Sequence, residues 1–105
     1  MHTCDWRNDK SHTQARFPEA TFEPGFAEQD MLWRSDHRET NPEQETRLRK
    51  LLDDIFAKDD STYISLTAHS GAIRAILAVI GHRPFALRTG AVLPVLLKVT
   101  KSSAL

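Results

Sequence analysis

The stretch Thr62-Tyr-Ile-Ser-Leu-Thr-Ala-His-Ser-Gly-Ala-Ile-Arg-Ala-Ile-Leu-Ala-Val-Ile-Gly81 decides how the chain reads. Its first six residues form a short run with the β-formers Tyr63, Ile64 and Leu66, which predicts a buried strand over 62–67. After Gly71 the pattern changes. Ile73, Ile76, Leu77 and Ile80 recur at helical spacing, Ala72, Ala75 and Ala78 are small enough for close packing, and Arg74 is the one charge in the run. A buried helix is predicted there, stopped by Gly81, which accepts left-handed backbone at no steric cost. His69, Ser70 and Gly71 lie between strand and helix. In an open α/β sheet, ligands bind outside the carboxyl ends of the strands. The free N–H groups at the start of the following helix favour an anion. One imidazole is therefore expected at a phosphate or carboxylate site.

Downstream, His82-Arg-Pro-Phe85 reads as a turn, and Gly90-Ala-Val-Leu-Pro-Val-Leu-Leu-Lys-Val99 reads as a second apolar strand. Pro94 has no N–H to give to a ladder, so it belongs at an edge or a bulge. The tail from Thr100 to Leu105 is expected to fray. Upstream, Asn41 to Lys58 is the clearest helix. Asn41 serves as N-cap, Pro42 fits the first helical position, and Gln44 closes a capping box. Glu43 and Glu45 suit the positive end of the dipole. Leu48, Leu51, Leu52, Ile55 and Phe56 form one apolar stripe, and Arg47, Arg49 and Lys50 are solvated positions. Residues 1–40 are polar and irregular, with scattered aromatics (Trp6, Phe17, Phe22, Phe26, Trp33) and with Pro18, Pro24 and Gly25 as breakers. A structureless stretch of that length is uncommon inside a compact domain, so it reads as a lid-like surface segment. The expected fold is α/β: one domain over 1–105, with 1–40 irregular and 41–105 a helix-strand-helix-strand core.

Composition narrows the function classes. The chain has 105 residues, 40% hydrophobic and 27% charged, with a formal net charge of zero. That is ordinary for a globular domain and argues against a nucleic-acid partner held by bulk electrostatics. Cys4 is the sole cysteine, which excludes an internal disulfide and favours a reducing compartment. The N-terminus lacks the apolar core of a signal peptide, and no apolar run is long enough to span a bilayer. A cytoplasmic location without membrane attachment is expected. His2, His12 and His37 lack the close, regular spacing of a metal site, so no metal is expected.

Three readings compete at His69. It can be a satisfied turn residue. Alternatively, Ala68-His-Ser-Gly-Ala72 is close to the small-x-Ser-x-small nucleophile elbow of serine hydrolases. That elbow needs an acidic residue and then a histidine downstream. His82 follows, but no Asp or Glu occurs after Ser70, and Ser70 reads more simply as a helix N-cap. The third reading comes from the wider pattern. Thr67-Ala-His-Ser-Gly-Ala-Ile-Arg74 resembles the second histidine motif of the histidine phosphatase superfamily. Met1-His-Thr-Cys-Asp-Trp-Arg7, Phe22-Glu-Pro-Gly-Phe26, Asp36-His-Arg-Glu-Thr40 and Arg83-Pro-Phe-Ala-Leu-Arg-Thr-Gly-Ala-Val-Leu-Pro-Val95 are similar to a phosphoglycerate-mutase-like branch common in fungi.

The resemblance covers nearly the whole chain but only the C-terminal part of that family's domain. It implies a partial three-layer α/β/α fold and phosphomonoester hydrolysis or phosphoryl transfer through a phosphohistidine. In that scheme a histidine in an Arg-His-Gly motif attacks, an upstream acid protonates the leaving oxygen, and a second histidine, matched here by His69, binds the phosphoryl oxygens. A fixed donor there stabilises the charge of the transferring group. Ser70 and Gly71, at the start of the helix that follows, are placed in the same phosphate site. Arg7 falls where the branch carries an arginine pair after Cys-Asp, a fork for phosphate or another acidic group; Trp6 replaces its companion. No Arg-His-Gly occurs in the sequence. The implied partner is a phosphorylated small molecule, with no cofactor, and the chain is expected to need a second copy or an N-terminal half to complete its sheet. The competing class is a non-catalytic phosphate-binding or interaction protein.

Overall fold

The computed structural model describes residues 5–100. His2, Cys4 and the tail expected to fray beyond Thr100 lie outside the described residues. The chain divides between Glu39 and Thr40 into two compact units.

The first unit is not wholly irregular: it contains the seven-residue helix α1, Lys10–Arg16. The rest of the unit is held by polar groups. The Lys10 N–H donates to the Glu28 carbonyl at 2.8 Å. The Ser11 N–H and hydroxyl both donate to Glu28 Oε1. Phe22 and Phe26 pack at 4.9 Å between ring centroids, and Trp6 stacks on Trp33 at 4.9 Å with the planes 12° apart.

The second unit is built on α2, Asn41–Lys58, and α3, Ser70–Val79. The start of α2 differs by one residue from the expectation. Thr40, not Asn41, is the N-cap: its hydroxyl accepts the Glu43 N–H at 3.3 Å, and Glu43 Oε2 accepts the Thr40 N–H at 3.1 Å. Thr40 and Glu43 have the capping-box spacing, so Asn41 and Pro42 fall inside the helix. The end of α3 follows the sequence closely. Gly81 has φ +74°, its N–H bonds Ala78 O at 3.2 Å, and the His82 N–H bonds Leu77 O at 2.9 Å. These two bonds form a Schellman motif, which satisfies carbonyls that the helix itself cannot.

The core of this unit is small: Leu48 and Leu52 from α2 with Ala75 and Leu77 from α3. Ala75 is fully buried because its methyl side chain lets the helices approach closely. Of the expected stripe, Ile55 and Phe56 are half-buried and Leu51 is exposed. Contacts along the pair set its direction. Gln44 lies beside Gly71, Arg74 bonds Glu45, and Arg49 reaches the Val79 carbonyl at 3.5 Å. Both helices therefore run the same way. The connection over 59–69 has to return alongside about 21 Å of α2, from Lys58 back to Gln44, at 1.5 Å per residue. Eleven residues can span roughly 36 Å when extended, so the connection covers the return with length to spare.

The α/β expectation, and with it the partial three-layer α/β/α fold, is corrected here. Among the described residues the regular elements are three helices, with no strand and no sheet. Segments 62–67 and 91–99 carry strand-forming residues, but β-propensity is realised only against a partner. Neither segment has a ladder partner among the described residues. The two together would make only a two-stranded sheet, which is marginal in water, and Pro94 removes one donor from the second. Their apolar side chains are correspondingly bare: Tyr63 is 93% exposed and Leu96 101%.

Candidate functional site

Residues 61–71 are exposed throughout, so His69, Ser70 and Gly71 all lie at the surface where α3 begins. His69, not Ser70, is the N-cap residue, with φ −72° and ψ 158°. Its carbonyl accepts the Ile73 N–H at 3.0 Å, which starts the helix. No side chain caps the end: the His69 imidazole makes no capping bond, and Ser70 stands one position too late to cap. The Ser70, Gly71 and Ala72 N–H groups consequently have no intrahelical acceptor and mark the positive pole of the α3 dipole. A β-carbon on Gly71 would meet only Gln44 Nε2, at 3.7 Å, an ordinary contact. Gly71 therefore leaves this end open without packing demanding it.

Two residues beside this turn escaped the sequence reading of the site. Arg74 is one turn below Ser70. Its Nη1 donates to Glu45 Oε1 at 3.2 Å and its Nη2 to Gln44 Oε1 at 3.4 Å. The Gln44 amide thus lies between the Arg74 guanidinium and the first turn of α3. The lone charge in an apolar helix was the available signal, since a half-buried arginine needs a partner. Its partners sit 29 and 30 positions upstream, too far for any local spacing rule to find.

Arg7 lies in the other unit and its guanidinium is committed to backbone. Nη2 donates to the carbonyls of Ala27 at 2.7 Å and Gln29 at 3.0 Å; Nη1 donates to those of Asn8 at 3.0 Å and Glu28 at 3.3 Å. The cation also sits 4.3 Å from the centroid of Phe26. Asp30 completes the arrangement by accepting the N–H groups of Arg7, Leu32 and Trp33 at 3.0–3.2 Å. Partial burial pushes the Asp30 carboxyl up, but the three N–H donors and the Arg7 charge outweigh it and hold the group below its ordinary range. Arg7 is geometrically a staple for the 27–30 loop rather than a fork with its donors free.

The serine-hydrolase reading of Ser70 turns on the backbone before it. An elbow is a strained turn between a strand and a helix, and no strand precedes Ser70 among the described residues. Nor do the described residues contain a cluster of three or more His, Cys, Asp or Glu side chains able to hold a metal ion. None of their helices is long and apolar enough to cross a membrane.

The chain is 52% identical over 103 residues to a "Probable phosphoglycerate mutase" of Arthroderma benhamiae, a match covering 98% of this chain and 31% of that protein. It is 38% identical over 94 residues to "Phosphomutase-like protein 3" of Candida albicans, covering 89% and 30% respectively. It is 34% identical over 116 aligned residues to "Probable phosphoglycerate mutase PMU1" of Saccharomyces cerevisiae, covering 98% and 39%. No family model matches the chain, and no solved structure matches it. The chain spans about a third of the length of the relatives it matches. It belongs to the phosphoglycerate mutase-like proteins of the histidine phosphatase superfamily.

Proposed function

We propose that the first turn of α3 is the phosphoryl-binding end of a phosphomonoester site, in a protein that hydrolyses or transfers phosphate through a phosphohistidine. The observation that carries this reading is the uncapped start of α3, where exposed His69 precedes three N–H groups that have no intrahelical acceptor. His69 and the Ser70 hydroxyl donate to phosphoryl oxygens, Gly71 leaves the backbone accessible, and the helix dipole favours the dianion. His69 holds the phosphoryl group and does not attack it. The chain has no Arg-His-Gly sequence to supply the attacking imidazole.

An NMR titration with inorganic phosphate, and with vanadate, tests the reading. Saturable shifts are expected at the His69 ring and at the Ser70 to Ala72 amides, and His69→Ala should abolish them. Shifts that survive the substitution, or none in the native chain, remove the site. In parallel, incubation with a radioactive phosphomonoester and an alkaline quench should leave the 105-residue chain unlabelled; label on His69 would make it the nucleophile.

A further inference from the structure

The first unit carries an open groove of about 640 Å³, within the range of ligand clefts. Trp6, 55% exposed, lines it together with Asn8, Asp9, His12 and Gln29. We propose that this groove binds a neutral sugar ring, with the ring face on the Trp6 indole and its hydroxyls on Asn8, Asp9 and Gln29.

Three observations select that chemistry. First, the indole is already positioned. Trp33 covers one face at 4.9 Å with near-parallel planes, so little side-chain freedom remains to be lost on binding. Second, the Trp33 stack leaves at most one face of Trp6 for a ligand. Capture of a cation by aromatic residues uses several π-faces around the charge, and a parallel pair of indoles offers a platform instead. The C–H face of a sugar fits a platform. Third, the charge balance opposes an anion. Asp9 and Asp30 line the groove, while the cation there, Arg7, is held by four carbonyls and Phe26. Asp30 is likewise occupied by three N–H groups. What is left on the lining is one carboxylate, which accepts, two carboxamides, which both donate and accept, and the His12 imidazole, whose two ring nitrogens can do either. Such a set matches hydroxyls, which need both.

The experiment follows the Trp6 indole N–H resonance of the full 105-residue chain during addition of glucose, glucose 6-phosphate and tetramethylammonium. Glucose is expected to give a saturable shift, with glucose 6-phosphate no tighter at this resonance. Asp9→Asn should weaken glucose by about tenfold, the equivalent of one hydrogen bond to a charged group. Trp6→Phe keeps an aromatic face on Trp33 and should retain binding, followed through the His12 ring; Trp6→Ala should lose it. The proposal is overturned by no saturable response to glucose, by tighter binding of tetramethylammonium or glucose 6-phosphate at Trp6, or by unchanged affinity in Asp9→Asn. The readouts lie wholly in the first unit, so they are independent of phosphate binding at α3.

Discussion

Replacing Arg7 by lysine tests how the first unit is held together. The guanidinium reaches four carbonyls, at 2.7, 3.0, 3.0 and 3.3 Å, and the Phe26 face at 4.3 Å. Lysine keeps the charge but has a single nitrogen, which cannot span the Ala27, Glu28 and Gln29 carbonyls as a planar fork does. The bond to Ala27 O is part-buried and the other three carbonyl bonds are exposed, so they are not equal. The first contributes about 1–1.5 kcal/mol, and the exposed ones less because water replaces them. Loss of the stack on Phe26 adds roughly 0.5–1 kcal/mol. With one bond retained by the ammonium, the net cost of Arg7→Lys is about 2 kcal/mol. Amide hydrogen exchange reads such local stability directly. The Lys10, Leu32 and Trp33 amides bond Glu28 O or the Asp30 carboxylate and open when the loop opens. Their exchange should accelerate by roughly 30-fold, since 1.4 kcal/mol is a factor of ten. The α2 and α3 amides serve as the internal reference. Unchanged protection of those three amides in Arg7→Lys would refute the staple. Phosphate-dependent protection in the native chain, lost with the substitution, would return Arg7 to anion binding.

Two further outcomes are expected. The Asp30 carboxyl is held below its ordinary range in the folded chain, so its contribution is present above the unfolded value near 3.8 and is lost as pH falls through the lower folded value. Protection of the Leu32 and Trp33 amides should therefore hold from neutral pH to about 4 and collapse below it, and Asp30→Asn should remove that pH dependence; a native profile flat through the acid range would contradict it. Gly81 takes φ +74° with open space where a β-carbon would stand, so Gly81→Ala costs backbone strain without a clash. A loss of about 1 kcal/mol is expected in thermal or denaturant unfolding of the second unit, and no loss would mean that the left-handed stop is not maintained in solution.

The parts of this fold that were legible in the sequence are those specified locally. The α2 stripe predicted the buried Leu48 and Leu52, and the apolar run after Gly71 predicted α3 and its stop at Gly81. Errors of one residue arose where neighbours compete for the same role. Thr40 and Asn41 are both good caps, and the reach of Glu43 back to the Thr40 N–H decided between them. Ser70 was the better cap by type, yet the helix begins one residue earlier on His69. Strands are not local objects. Tyr63, Ile64 and Leu66 have the side chains of a strand, but the ladder depends on a partner that no residue in the stretch can specify. The carbonyl cage around Arg7 was illegible for a related reason, because backbone carbonyls leave no trace in composition.

The helix ends of the second unit are finished in different ways. The start of α2 has a reciprocal capping box, with Thr40 and Glu43 each satisfying the other's backbone. The end of α3 has a Schellman motif and the Arg49 guanidinium at the Val79 carbonyl. The same chain leaves the start of α3 with histidine at the position where serine, threonine, asparagine or aspartate would stabilise it by about 1 kcal/mol. Ser70 is adjacent, so a shift of one residue would have supplied the cap. Serine at that position satisfies an orphan N–H internally; serine one place later does not. The arrangement gives up helix stability at the start of α3, where His69, Ser70 and Gly71 are all exposed. Under the proposed reading a phosphate would supply the missing acceptors; α1 also starts without a side-chain cap, at Asp9, so the uncapped end does not by itself require a ligand and the phosphate titration decides.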